Sequence, residues 1–219
     1  DDVAFYGVNV VGTSNLLDAL KALPIKPKSV LLASSANVYG NCTISPISES
    51  QQPAPVNHYA MSKLGMEHIA ATYLHTLPIV ISRPFNYTGL GQSEKFLIPK
   101  LVRHFARRVD VVELGNLHVE REFNDVRMVC EVYLRLLQQG HAGQAYNVCS
   151  GVPYTLTHVI ETLQALTGHR IAVQVNPSYT RTNEVHRLCG NPNKLKACIG
   201  DLPSYTLTNT LQWMLDCAL

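Results

Sequence analysis

The apolar positions of this 219-residue chain alternate between short unbroken runs and longer stretches at helical spacing. Ser29-Val30-Leu31-Leu32-Ala33-Ser34-Ser35 reads as a buried strand that ends in two hydroxyls, and Ile79-Val80-Ile81-Ser82-Arg83 as a second. Between them a proline-bearing loop, 41–56, leads into a helix that ends near His75, before Pro78. A strand, helix, strand unit of this kind implies a parallel pair. Ahead of it, a helix is predicted from about Asp1 to Leu23, stopped by Pro24. After Asn86 come a Gly-rich turn, a helix over about 99–108 with Leu101, Val102 and Phe105 on one face, and a short strand at 111–114. Asp125 caps a helix through about Gln139, and 144–148 reads as a returning strand. The last stretch predicts a helix over 157–167 capped by Thr155 or Thr157, a strand over 171–175, and helices near 193–198 and 208–219. The class is α/β with a parallel sheet, and no internal repeat or low-complexity tract interrupts it.

Composition narrows the function classes. At 46% hydrophobic and 16% charged, the chain can bury one sizeable core or two small ones. A formal charge of +2 without a basic run gives no reason to expect nucleic acid or a membrane surface as partner. No apolar stretch approaches the roughly 18 residues of a spanning helix, and no secretory signal opens the sequence, so a cytoplasmic protein is expected. Its six cysteines lack a Cys-x-x-Cys pair and read as reduced thiols. The nine histidines show no ligand spacing, and no metal site is expected.

Candidate chemistry lies in Asn57-His58-Tyr59-Ala60-Met61-Ser62-Lys63, about two dozen residues after Ser34-Ser35. Four-residue spacing puts Tyr59 and Lys63 on one helix face, where an ammonium can ease formation of a phenolate. A Tyr-x-x-x-Lys arises by chance about 0.4 times in a chain of this composition, so the pair alone is a weak motif. Context strengthens it, because parallel α/β sheets place their sites at the carboxyl ends of strands and both serines fall at such an end. Together they suit acid-base chemistry at a carbonyl.

Six ordered pieces carry a resemblance: Asn9 to Leu17, Ser34-Ser35-Ala36-Asn37-Val38-Tyr39-Gly40, Tyr59 to Lys63, Arg83-Pro84-Phe85-Asn86, Arg121-Glu122-Phe123-Asn124-Asp125-Val126, and Tyr146-Asn147-Val148. The chain resembles the extended short-chain dehydrogenase/reductases that act on nucleotide sugars, the epimerase/dehydratase family. Arg83 to Gln92, Phe96 to Lys100 and Ala145 to Gly151 are most similar to its branch that reduces GDP-4-keto-6-deoxy-mannose. Against the family pattern, the Gly-rich phosphate loop and the first four strands are missing: Gly7 and Gly12 fall inside the first predicted helix, with no strand ahead of them. The expectation is a partial Rossmann-like sheet lacking roughly the first third of the parent enzyme, with a smaller α/β substrate lobe. Its first strand would expose an unpaired edge, which favours association, and a homodimer is expected.

The resemblance implies interleaved lobes, with 1–86 and 122–152 holding the cofactor, NADP or NAD, and 87–121 and 153–219 the nucleotide sugar. It implies Tyr59 as proton donor, Lys63 as the group that holds the nicotinamide ribose and tunes the phenol, and Ser35 as the hydrogen-bond partner of the ketone oxygen. Ala33, Ser34, Pro84, Phe85 and Asn86 would line the cofactor. Asn86, Lys100, Arg121, Arg181 and Glu184 would hold the substrate, a GDP-linked sugar being favoured: guanidinium suits diphosphate and a carboxylate suits a ribose diol. Family members that dehydrate need a carboxylate beside the hydroxyl ligand, and Ala36-Asn37 supply none. A reductase yielding GDP-D-rhamnose, a 4-epimerase, and a non-catalytic nucleotide-sugar-binding remnant are the readings left open.

Overall fold

The computed structural model describes residues 2–117, 119–179 and 187–218. The chain opens on one continuous helical run made of α1 (Asp2–Tyr6), a π-helical turn (Gly7–Val11) and α2 (Gly12–Ala22). Leu23 leaves it in extended conformation, as the residue before a proline is pushed to do. Then follow β1 (Val30–Ala33), a 3-10 turn (Ala36–Tyr39), α3 (His58–Ala71), β2 (Ile79–Pro84), β3 (Tyr87–Thr88), α4 (Leu97–Ala106) and β4 (Val111–Leu114). The second half holds β5 (Glu120–Arg121), β6 (Asn124–Asp125), α5 (Val126–Gln139), β7 (Ala145–Val148), β8 (Tyr154–Thr155), α6 (Leu156–Thr167), β9 (Ala172–Val175), β10 (Arg187–Leu188), α7 (Asn193–Ile199) and α8 (Leu207–Asp216).

A parallel sheet of order β1-β2-β7 organises the first core, with Leu31 opposite Val80 and Ser82 opposite Tyr146. β2 is central and buried along its whole length, the condition in which a strand reads as an unbroken apolar run. Its side chains alternate between faces. Ile79 and Ile81 meet Leu17 of α2 and Met66 and Ala70 of α3, whereas Val80 meets Val129, Val132 and Leu136 of α5 and Leu195 of α7. β1 is an edge strand, yet Val30 and Leu32 are buried beneath α2 and α3.

A second core gathers α4, α6 and α8 over the parallel pair β4–β9, around Leu101, Phe105, Val159, Leu163 and Leu211. Three-stranded β10-β5-β8 and the pair β3–β6 complete the strands. These five two-residue strands are absent from the sequence reading because two residues are too few to show a period. The helix expected to reach His75 ends at Ala71, where Thr72, Tyr73 and Leu74 tighten into i to i−3 bonds.

Asp125 caps α5 as expected, Oδ1 accepting Arg127 N–H at 2.8 Å. Its second oxygen accepts the Thr210 hydroxyl of α8 at 2.7 Å and an Arg127 N–H at 2.7 Å. The Arg127 guanidinium lies 4.3 Å from the Tyr205 ring and 4.0 Å from that of Trp213, so α8 is joined to the start of α5. Thr155 caps α6 through His158 N–H at 3.1 Å.

Candidate active site

The site forms where β1 and β2 run out. Ser34 N–H prolongs the ladder to Ser82 O at 2.8 Å, but its hydroxyl is buried with no hydrogen-bond partner among the described residues. Ser35 is extended and caps the 3-10 turn by accepting Asn37 N–H at 3.2 Å. With an Oγ lone pair engaged there, its O–H remains to act on the Tyr59 phenol, whose ionisation it favours.

Tyr59 enters from the first turn of α3, which Asn57 caps through Ala60 N–H at 2.9 Å. Burial pushes its phenol above the ordinary value; the Ser35 bond opposes this and Tyr87 adds to it. One turn on, Lys63 Nζ donates to the Ala33 carbonyl at 2.9 Å and lies 6.0 Å from the Tyr59 ring centroid. Burial holds this ammonium below the usual lysine value. Ser35, Tyr59 and Lys63 therefore gather at one strand tip. The phenol's acidity is set first by burial and Ser35, while the Lys63 ammonium engages the backbone.

Pro84 closes β2, and Phe85 N–H follows it onto Val148 O at 3.0 Å. Phe85 is fully buried against Gly190: a Cβ at that glycine would stand 2.6 Å from the ring and 2.7 Å from Cys149 Sγ. Asn86 is exposed, and its carbonyl accepts Asn124 N–H at 2.9 Å and Nδ2–H at 3.1 Å. Lys100 and Arg121 stand on α4 and β5, where they donate to Glu113 O and Glu120 O, both at 2.8 Å. Arg181 and Glu184 lie outside the described residues.

Three polar features escape the sequence reading. Asn9, in the π turn, donates to Ser62 Oγ at 2.9 Å, and that hydroxyl donates to Tyr59 O at 2.8 Å, so the first helix is tied to the turn that carries Tyr59. Glu122 is 1% exposed; its Oε1 accepts Gly190 N–H at 2.6 Å, and Oε2 accepts Ser150 N–H at 2.8 Å, Ser150 O–H at 3.1 Å and Gly151 N–H at 3.2 Å. Burial first, and this carboxylate second, push the Cys149 and Cys189 thiols up. The third feature joins Glu67, Arg83, Tyr39 and Asn147. Arg83, a lone base near the end of the apolar run that starts at Ile79, was the available signal for the third; Glu122, preceded by Glu120 and Arg121, carried none.

A parallel sheet sandwiched by helices, with hydroxyl, phenol and ammonium at a strand tip, defines a short-chain dehydrogenase type of protein, and the comparisons agree. The family profile for GDP-mannose 4,6 dehydratase matches residues 1–214. The chain is 36% identical to GDP-6-deoxy-D-talose 4-dehydrogenase of Aggregatibacter actinomycetemcomitans, over 91% of this chain and 68% of that one. It is also 36% identical to GDP-6-deoxy-D-mannose reductase of Pseudomonas aeruginosa, over 95% and 71%. Among solved structures, RMD of Pseudomonas aeruginosa complexed with NADPH superposes with a TM-score of 0.92 at 34% identity, over 97% of this chain and 73% of that one. A Burkholderia cenocepacia protein that carries a provisional epimerase name gives 0.95 at 50%, over 97% and 70%. The chain belongs to the GDP-mannose 4,6-dehydratase family, within the epimerase/dehydratase group of short-chain enzymes.

Proposed function

We propose that this chain carries the catalytic groups of an NAD(P)-dependent reductase of a 4-keto nucleotide sugar, GDP-4-keto-6-deoxy-D-mannose, with GDP-D-rhamnose as product. One observation carries the reading: Lys63, one turn after Tyr59, donates to the carbonyl of Ala33 two residues before Ser35, while Ala36-Asn37 supply no acid where a dehydrating enzyme needs one. When bound, NAD(P)H supplies the hydride that reduces the C4 ketone. Tyr59 gives its proton to the oxygen as negative charge develops there, and Ser35 donates a hydrogen bond to the same atom. Ketone, hydride and proton together make the alcohol, and the phenolate left on Tyr59 is reprotonated from solvent.

The residues present suit the dinucleotide. The Ser34 hydroxyl is buried without a partner among the described residues, and Lys63 has further N–H groups beyond the one on Ala33 O. Lys63 would hold the nicotinamide ribose, with Ala33, Ser34, Pro84, Phe85 and Asn86 along the nicotinamide. Asn86, Lys100, Arg121, Arg181 and Glu184 would take the nucleotide sugar. Residues 1–86 with 122–152 would form the cofactor lobe, and 87–121 with 153–219 the sugar lobe; the second core supports this division, although α7 packs back on α5. A cytoplasmic homodimer completes the reading. Val3, Val8 and Val11, 75%, 73% and 55% exposed on the first helical run, and the position of β1 at the edge of its sheet among the described residues support the dimer.

Incubating the full-length protein with GDP-4-keto-6-deoxy-mannose and NADPH tests this directly. Stoichiometric loss of reduced cofactor is expected, abolished in Tyr59→Phe with nucleotide affinity nearly intact. Turnover without net cofactor oxidation would mean 4-epimerisation, which the same three groups can serve. GDP binding without dinucleotide binding would mean a non-catalytic remnant.

A further inference from the structure

Ser35 and Tyr59 come from different elements, a strand end and a helix, and a polar chain buried behind them links the two. Tyr59, Lys63 and Glu67 follow one another at four-residue spacing along one face of α3. The Glu67 carboxylate accepts two hydrogen bonds from Arg83 of β2, at 3.0 Å to Nε and 2.5 Å to Nη2. The third guanidinium nitrogen, Nη1, donates to Tyr39 Oη at 3.0 Å, and the guanidinium lies 5.1 Å from that ring. Tyr39 ends the turn that Ser35 caps, and its own O–H donates to Asn147 Oδ1 of β7 at 2.7 Å. Asn147 is held in turn by Ile47 O at 2.9 Å and by Glu49 at 2.7 Å.

A buried ion pair is weak evidence for stability, because desolvation offsets the attraction and an apolar pair of similar volume often does as well. Arg83 and Glu67 have side chains only 9% and 10% exposed, yet all three guanidinium nitrogens are engaged. What apolar packing cannot supply is direction: a planar fork fixes angle as well as distance. We propose that Glu67, Arg83 and Tyr39 form a brace between α3 and the Ser35 turn that sets how the Ser35 hydroxyl meets the Tyr59 phenol, and that all three are positioning residues for the reaction. The proposal rests on the reading of Ser35 and Tyr59 as the catalytic groups. None of the three touches the reacting atoms in it: Tyr39 is 1% and Arg83 7% exposed.

The test uses full-length protein labelled with ζ-13C tyrosine, the Tyr59 resonance being assigned by its loss in Tyr59→Phe. Glu67→Gln keeps the volume and one acceptor for Arg83; Tyr39→Phe removes a single hydroxyl. In each, kcat is expected to fall on the order of ten- to a hundredfold, with KM for both substrates within about twofold. The Tyr59 titration midpoint should move up, because the Ser35 bond that favours the phenolate is misaligned. Ser35→Ala should move it up too, and Glu67→Gln should add nothing in that background. Leu136→Val, remote in the α5 core, should lower Tm without changing kcat or the Tyr59 signal. An unmoved Tyr59 midpoint in either brace variant, a shift that adds to that of Ser35→Ala, or a KM rising in step with the loss would overturn the brace. Should Tyr59→Phe and Ser35→Ala leave turnover intact, the catalytic reading falls, while the titration still decides whether the brace holds.

Discussion

Lys63 Nζ stands 2.9 Å from the carbonyl oxygen of Ala33, so the helix that carries Tyr59 is fastened to the strand that delivers Ser35. The contact needs a compact ammonium on a flexible stem, which can serve the carbonyl and still present other N–H groups. Lys63→Arg keeps the charge but brings a wider, planar head. It is expected to lose kcat/KM about as badly as Lys63→Met, on the order of a hundredfold or more, with weaker cofactor binding in both. Steady-state kinetics with a cofactor titration checks this; near-normal Lys63→Arg would show that charge alone suffices.

The pH profile follows from the two shifted groups. Reduction needs Tyr59 protonated, and its value is raised, so the proton is present throughout the neutral range and is lost only as pH rises beyond the ordinary phenol value. Lys63 is lowered and loses its charge at a lower pH than a free lysine. The rate of ketone reduction should be level through neutrality and fall on the alkaline side alone, with one step from each group. In Lys63→Met the lysine step should vanish, which a rate profile over the alkaline range reads directly.

Ser35→Ala removes a donor to the ketone oxygen and the bond that favours the phenolate. A fall in kcat of about 10- to 1,000-fold is expected, with substrate KM little changed. The alkaline limb assigned to Tyr59 should move upward. Ser35→Thr keeps the hydroxyl and should recover much of the rate, a result that a purely structural serine would not give.

Glu122 accepts from four neutral donors, three of them backbone N–H groups. Glu122→Gln would turn an N–H₂ toward N–H groups that need an acceptor. A loss of about 2–4 kcal/mol is expected from urea unfolding at unchanged m. Flipping the amide cannot compensate, because Gly190 donates to one carboxylate oxygen while Ser150 and Gly151 donate to the other.

Gly190→Ala would place a methyl 2.6 Å from the Phe85 ring, against a buried wall. A destabilisation of about 1–3 kcal/mol is expected. Because Phe85 is proposed to line the nicotinamide, cofactor KM should rise more than kcat falls. Thermal unfolding with and without NADPH separates the two effects.

Much of the architecture was legible because it is written in long periodic segments. The strands at 30–33 and 79–84, the Asp125 cap and the helix it starts, and the 111–114 strand are all set by local pattern. So was the placement of Ser35 at a strand end and of Tyr59 in the first turn of the following helix, since one parallel unit supplies both. The π turn at Gly7–Val11 left no trace in the spacing of apolar residues, and its use emerges only when Asn9 is seen on Ser62. The partners of Arg83 were equally hidden: it lies 16 positions from Glu67 and 44 from Tyr39 along the chain, and nothing local distinguishes a braced glutamate from a solvated one.

The junction of Asp125, Thr210 and Arg127 with Tyr205 and Trp213 has a practical side. A shortened version that stops before Tyr205 would strip one oxygen of Asp125 of its hydroxyl and leave the Arg127 guanidinium without its aromatic lids. The loosened cap belongs to the helix that packs on β2 and β7, so losing α8 would be felt in the first core as well.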